Sequence, residues 1–182
     1  MDEPALGTIG VVKTKGFYGD VIRWATESPA SHAVIYVGDG QIVEGEPEGA
    51  RFAPADEYGD DLVWLTDLRR TTIDGVRGPL LEPTDSQRAK IVELAKVCAV
   101  SKVAYSWLDI AVLALASPRL SRIDVRNPPW WARRMAANDR LVCSQLVDLC
   151  WRRAGVHIFV DRIPGLVSPG DLHRAGGSPP LP

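Results

Sequence analysis

No stretch constrains this chain more than His32-Ala33-Val34-Ile35-Tyr36-Val37, followed by Gly38-Asp39-Gly40 and then Gln41-Ile42-Val43-Glu44-Gly45. β-Branched and aromatic residues on either side of a glycine-rich turn predict a β-hairpin. Taking Gly38-Asp39-Gly40 as a three-residue loop, with Gly40 left-handed, pairs Val37 with Gln41, Ile35 with Val43 and Val34 with Glu44. His32 and Glu44 then share a face as diagonal neighbours, roughly 7–8 Å apart at the backbone, a gap their side chains close. The register decides this, since a two-residue loop is expected to send Glu44 to the opposite face. In the three-residue register Glu46 lies opposite His32 and is a second carboxylate able to orient it, unless Gly45 ends the strand first.

A second stretch, Leu141 to Ala154, reads as a helix stopping at Gly155. Apolar residues at 142, 146 and 149, with 143, 147, 150 and 154 beside them, make a broad buried stripe. Cys143 falls in the first turn, behind Asn138 and Asp139, either of which can start the helix. A thiol at that end meets the positive pole of the helix dipole and free backbone N–H groups, surroundings that favour a thiolate. Taken alone, Cys143 is equally a small buried apolar residue. The hairpin changes its meaning, because thiol, imidazole and carboxylate are the three parts of nucleophilic acyl transfer. The imidazole takes the thiol proton and returns it to the leaving group, the carboxylate fixes the ring, and the Cys143 backbone N–H is an oxyanion donor.

The remaining sequence frames these two segments. One chain of 182 residues suits a single domain, and 46% apolar with 24% charged residues is an ordinary balance for a soluble globular protein. A net charge of −2 argues against bulk nucleic-acid binding. Cys98, Cys143 and Cys150 form no CxxC pair, so neither a disulfide scaffold nor a zinc site is expected, and Cys98 and Cys150 read as core thiols. His157 and His173 read as structural or solvated. Strands are expected at 8–12, 62–68 and 156–160. Helices are expected at 16–27, from Thr84 to about Val100 behind a Thr84/Gln87 capping box, and at 107–116. Residues 119–140 hold six arginines against two acids, with Trp130 and Trp131 among them. They read either as a solvated connection or as one wall of a cleft able to meet anionic headgroups or cell-wall carboxylates. No apolar run approaches a membrane span, and Met1-Asp2-Glu3-Pro4 shows no secretory signal, so a cytoplasmic location, release by lysis or carriage on a particle is expected.

Residues 31–49 (SHAVIYVGDGQIVEGEPEG), Tyr105, the run VCSQLV at 142–147 and Ser-Pro-Gly-Asp-Leu at 168–172 together resemble the NlpC-type papain-like cysteine hydrolases. The closest likeness is to their circularly permuted branch, in which the histidine hairpin precedes the cysteine helix, with lecithin–retinol acyltransferase-like enzymes among the relatives. The resemblance implies an α+β papain-like fold over residues 1–176, a central antiparallel sheet packed against helices, and a disordered tail at 177–182. It implies Cys143 as nucleophile, His32 as base and Glu44 as the third member, with Tyr105, Ser144 and Gln145 as possible oxyanion or substrate contacts, and neither metal nor cofactor. Family members cut amide bonds in cell-wall peptides, or cleave or transfer acyl groups on lipids. A peptidoglycan-type peptide cut through a thioester is therefore the leading expectation. A lipid acyl hydrolase or acyltransferase is the first alternative, and an inactive binding module of the same fold the second. Residues 46–82 and 117–140 match nothing in the family.

Overall fold

The computed structural model describes residues 3–72, 76–103, 143–160 and 167–181. Tyr105, the apolar run 107–116 and the arginine-rich stretch 119–140 lie outside them. In chain order come β1 (Ile9–Val12), α1 (Phe17–Thr26), β2 (His32–Gly38), β3 (Gln41–Glu46), β4 (Gly49–Pro54), a 3-10 segment (Ala55–Asp61) and β5 (Leu62–Trp64). They are followed by β6 (Arg69–Thr71), β7 (Arg77–Leu80), α2 (Asp85–Val100), α3 (Cys143–Arg153) and α4 (Pro169–Ala175). The protein is α+β, with a five-stranded antiparallel sheet in the order β4-β3-β2-β1-β5 and a separate β6-β7 ribbon.

Period-two alternation divides the sheet's side chains between two faces. One face carries Ile9, Val11, Ala33, Ile35 and Val43, which pack in the main core with Ile91 and Ala95 of α2 and Leu146, Val147 and Trp151 of α3. The other face carries Val12, Val34, Tyr36, Ile42 and Ala53, closed over by Tyr58, Leu62 and Trp64. Tyr36 and Trp64 meet edge to face with ring centroids 5.6 Å apart, a favoured aromatic geometry. Helix α2 starts on the anticipated capping box, with the Thr84 side chain and the Gln87 side chain each accepting from the other's backbone N–H. Among the described residues no helix is long and apolar enough to cross a membrane.

Three local expectations are corrected. In the β2–β3 hairpin Gly38, not Val37, pairs with Gln41, and the loop is Asp39-Gly40, both at positive φ (53° and 69°). That is the geometry a two-residue type I′ turn requires. Gly38 leaves the expected loop to pair with Gln41, and Val37 becomes the extra residue at an irregularity between Tyr36 and Gly38. Glu44 keeps its predicted partner Val34 because the bulge restores the offset that the shorter loop removes. Gly45 does not end β3, which continues to Glu46 against Gly49. The expected strand at 156–160 is only a single parallel bridge between Thr71 and Phe159. There the chain is still turning off α3, with Gly155 at φ 83° and the Val156 N–H donating to the Trp151 carbonyl. The strand expected over 62–68 stops at Trp64, and Leu65 and Leu68 are instead buried in the core.

Residues 49–61, 69–71 and 77–80, for which the sequence offered no element, form β4, the 3-10 segment, β6 and β7. The stretch read as a tail makes contacts of its own: Ser178 N–H donates to the His173 carbonyl at 2.9 Å and Leu181 packs on the main core.

Candidate active site

His32 opens β2 beside Val12 of β1. Its approach is fixed by Ser31, whose N–H donates to the Val12 carbonyl at 2.9 Å and whose hydroxyl accepts the Thr14 N–H at 2.8 Å. The imidazole is almost completely buried, and its Nε2 lies 2.8 Å from Oε2 of Glu44. The predicted diagonal neighbours therefore meet. Glu46, the other candidate, has its Oε1 3.7 Å from the same nitrogen and remains about one-third exposed.

Glu44 has no solvent exposure, and a buried carboxylate is costly unless its oxygens are answered. Three groups answer them. Besides His32, the Tyr58 hydroxyl donates to Oε2 at 2.5 Å, and Arg51 Nη2 stands 2.7 Å from Oε1, an ion pair rather than an aligned hydrogen bond. Arg51 is delivered by register: Pro47-Glu48 closes a tight turn that pairs Glu46 with Gly49, which places Arg51 directly across from Glu44. Tyr58 comes from the 3-10 segment and also lies against His32, with centroids 5.9 Å apart.

The charges follow from these contacts. Burial pushes the Glu44 carboxyl up, but the His32, Tyr58 and Arg51 contacts outweigh it and hold the group below the ordinary carboxylate range. Burial likewise works against a charged His32. The Cys143 sulfur beside the ring and the Glu44 carboxylate overcome it, so His32 stays protonated well above the usual histidine value. Glu46 moves the other way, raised by burial and by its neighbours Glu44 and Glu57. Tyr58 is raised by burial and by Glu44, which keeps it a neutral donor.

Cys143 is the first described residue of α3, a helix packed across β2 and β3, and its buried side chain lies beside His32, near enough to favour the protonated ring. Since Nε2 is engaged by Glu44, Nδ1 is the ring nitrogen left for the thiol. Ser144 and Gln145 are buried too, and the Ser144 hydroxyl donates to the Val167 carbonyl at 2.7 Å, tying α3 to the segment before α4. His157 is exposed on the turn after α3. His173 is buried far from His32 in sequence and engages the Ser28 hydroxyl at 3.1 Å and the Pro179 carbonyl at 2.7 Å.

His32, Glu44 and Glu46 each offer one donor atom within 4.8 Å of the others, a grouping of the kind that holds divalent cations. The fixed positive charge of Arg51 on Glu44 works against a cation there, and Nε2 and Oε2 already satisfy one another. The arrangement suits proton and thiol chemistry better than metal binding.

Sequence reasoning missed Arg51 and Tyr58. Arg51 was accessible to the same register arithmetic as Glu44, carried one turn further along the chain. For Tyr58 no comparable signal exists, because the 3-10 segment that aims it is interrupted at Gly59, with φ 51° and ψ −129°.

No family model matches the sequence, and no curated protein matches it. Among solved structures the chain is similar to one described as the metalloprotein yiiX of Escherichia coli O157:H7, DUF1105. The two are 17% identical over 83% of this chain, with a TM-score of 0.49, and this chain spans 66% of that protein's length.

Proposed function

We propose that the protein is a cysteine hydrolase of permuted papain-like build that cuts an amide bond, with a peptidoglycan-type peptide as substrate. The observation that carries the reading is one buried imidazole held by a buried carboxylate at Nε2, with the buried Cys143 thiol beside the ring. Cys143 sulfur attacks the carbonyl carbon as a thiolate, and His32 holds the proton that the thiol gave up. The tetrahedral adduct collapses as His32 passes this proton to the departing amine, leaving a thioester on Cys143. Water then attacks the thioester, giving its proton to His32 and releasing the acid and the thiolate. Glu44 holds the ring in the tautomer and orientation that both halves need.

The test is turnover of a defined muropeptide, followed by amine release, with a synthetic diacyl phospholipid run in parallel. Wild type is expected to release amine and to show a transient acyl adduct on Cys143 by intact mass. Cys143→Ala and His32→Ala are expected to be inactive, while His157→Ala, on an exposed turn, retains most activity. Turnover that survives Cys143→Ala overturns the reading. Cleavage of the phospholipid with no amine release keeps the triad and replaces the substrate class.

A further inference from the structure

A carboxylate with no solvent exposure on a sheet face is a poor anion unless its surroundings hold it charged. Glu44 is faced from every element packed against it by a group suited to that task or coupled to it. From β2 comes His32, from β4 Arg51, from the 3-10 segment Tyr58, and from its own strand Glu46. Cys143 of α3 lies beyond the imidazole and Glu57 beyond the guanidinium, where it pairs with Arg51 at 3.0 Å. The division of labour is asymmetric. Oε2 receives both the His32 N–H and the Tyr58 O–H, whereas Oε1 faces the Arg51 cation. Two donors on one oxygen and a cation on the other leave the carboxylate one orientation, with its charge directed along the His32 bond. A charge partner alone would not require the tyrosine, and a packing residue alone would not require its hydroxyl.

We propose that Arg51 and Tyr58 are positioning residues that keep the Glu44 carboxylate ionised and aimed at Nε2 of His32, making the operative unit Cys143-His32-Glu44 supported by Arg51 and Tyr58. Its catalytic consequence rests on the cysteine-hydrolase reading, whereas the grip on Glu44 does not. Tyr58→Phe removes one hydrogen bond and preserves the ring against His32. Arg51→Met removes the cation and preserves much of its length, and Arg51→Lys returns the charge without the forked geometry.

The direct measurement is NMR on the full-length chain carrying carboxyl-labelled glutamate and ring-labelled histidine, with no substrate added. In wild type the Glu44 carboxyl is expected to titrate below the other glutamates and the His32 Nε2 proton to exchange slowly with water. In Arg51→Met and in Tyr58→Phe the Glu44 midpoint is expected to rise by about one pH unit or more, as loss of a close opposite charge or donor implies, with faster exchange of that proton. Arg51→Lys should bring the midpoint back toward wild type. A Glu44 midpoint unmoved in both Arg51→Met and Tyr58→Phe overturns the proposal, and the phenylalanine variant decides the matter even if the methionine variant folds poorly.

With p-nitrophenyl acetate as an ester probe, positioning predicts roughly a tenfold or larger fall in kcat at nearly constant KM for Tyr58→Phe. Should the midpoints move while wild type turns over neither ester nor peptide, the enzyme reading fails and the grip stands. Turnover with unmoved midpoints is the reverse outcome.

Discussion

Glu44 combines two properties that a surface carboxylate could not: full burial and a charge held in place on both oxygens. Glu44→Gln keeps size and one acceptor oxygen but removes the charge that supports the imidazolium. Its expected cost is on the order of 10- to 10⁴-fold in kcat, less than for Cys143→Ala. Glu46→Gln, at 3.7 Å from His32 and partly exposed, should change the rate only a few-fold. Steady-state kinetics of both variants on one substrate distinguishes the two carboxylates, and a crippled Glu46→Gln beside a near-normal Glu44→Gln would move the orienting role to 46. A second residue-scale prediction concerns the thiols. Cys98 is half-buried and packs against the buried Cys150, which lowers the Cys98 thiol and raises that of Cys150, so Cys98 competes for alkylating reagents. In a Cys98→Ser background, brief iodoacetamide treatment at about pH 6.5 should label Cys143 and spare Cys150, as read by peptide mass mapping. Cys143 left unlabelled in folded protein counts against a reactive thiol there. His32 and Glu44 were legible in the sequence because the glycine turn fixes the hairpin, and the bulge beside Val37 compensates for the shorter loop so that their pairing offset is kept. Tyr58 was not legible, since its position depends on a kink at Gly59 that no periodicity reports, and Tyr105 lies outside the described residues.

At the scale of elements, the hairpin shows how a face assignment survives a misjudged turn. The expected three-residue loop and the observed two-residue loop with a bulge both place Val34 opposite Glu44, because each inserts one residue between the same paired positions. What the sequence left open was β4, whose side chains alternate weakly. Phe52 is exposed at its middle, whereas Ala50 and Ala53 turn inward. Its register is nevertheless as consequential as that of β2–β3, because it carries Arg51 to Glu44. The central strands meet closely at Gly10 of β1. A Cβ there would stand 2.6 Å from Leu62 Cδ1, 2.8 Å from Val34 Cγ2 and 2.9 Å from an atom of the Trp64 ring. Val34 is fully buried in the cluster on the His32 face, and Leu62 and Trp64 pack against it, so the new methyl group displaces side chains from both neighbouring strands at once. Gly10→Ala is therefore expected to destabilise the fold by about 1–3 kcal/mol, seen as a lower urea midpoint at unchanged slope. A midpoint equal to wild type would mean the β1–β5 seam is looser than these distances imply.

For the whole molecule, the buried His32–Glu44 pair couples folding to pH in two opposite directions. Glu44 is held below its ordinary value of 4.5, so its contribution is present above that value and is lost as pH falls through the lowered one. His32 is held well above its ordinary 6.5, so the folded state binds a proton that the unfolded chain has released. Its contribution is complete below 6.5 and drains away as pH rises from there through the raised value. The two windows overlap between about 4.5 and 6.5, where the pair stabilises most. Other groups titrate as well, so the prediction is a difference. Wild type minus His32→Gln, measured as thermal midpoints across a pH series, should be largest and flat inside that window and should shrink steadily above it. Wild type minus Glu44→Gln should also shrink below it. Arg51 and Tyr58 define where the acid side falls, so Tyr58→Phe should lose stability on acidification earlier than wild type. A wild-type minus His32→Gln difference that grows toward alkaline pH would mean His32 is buried neutral. Neither the protonated His32 beside Cys143 nor the orienting role of Glu44 could then stand as described.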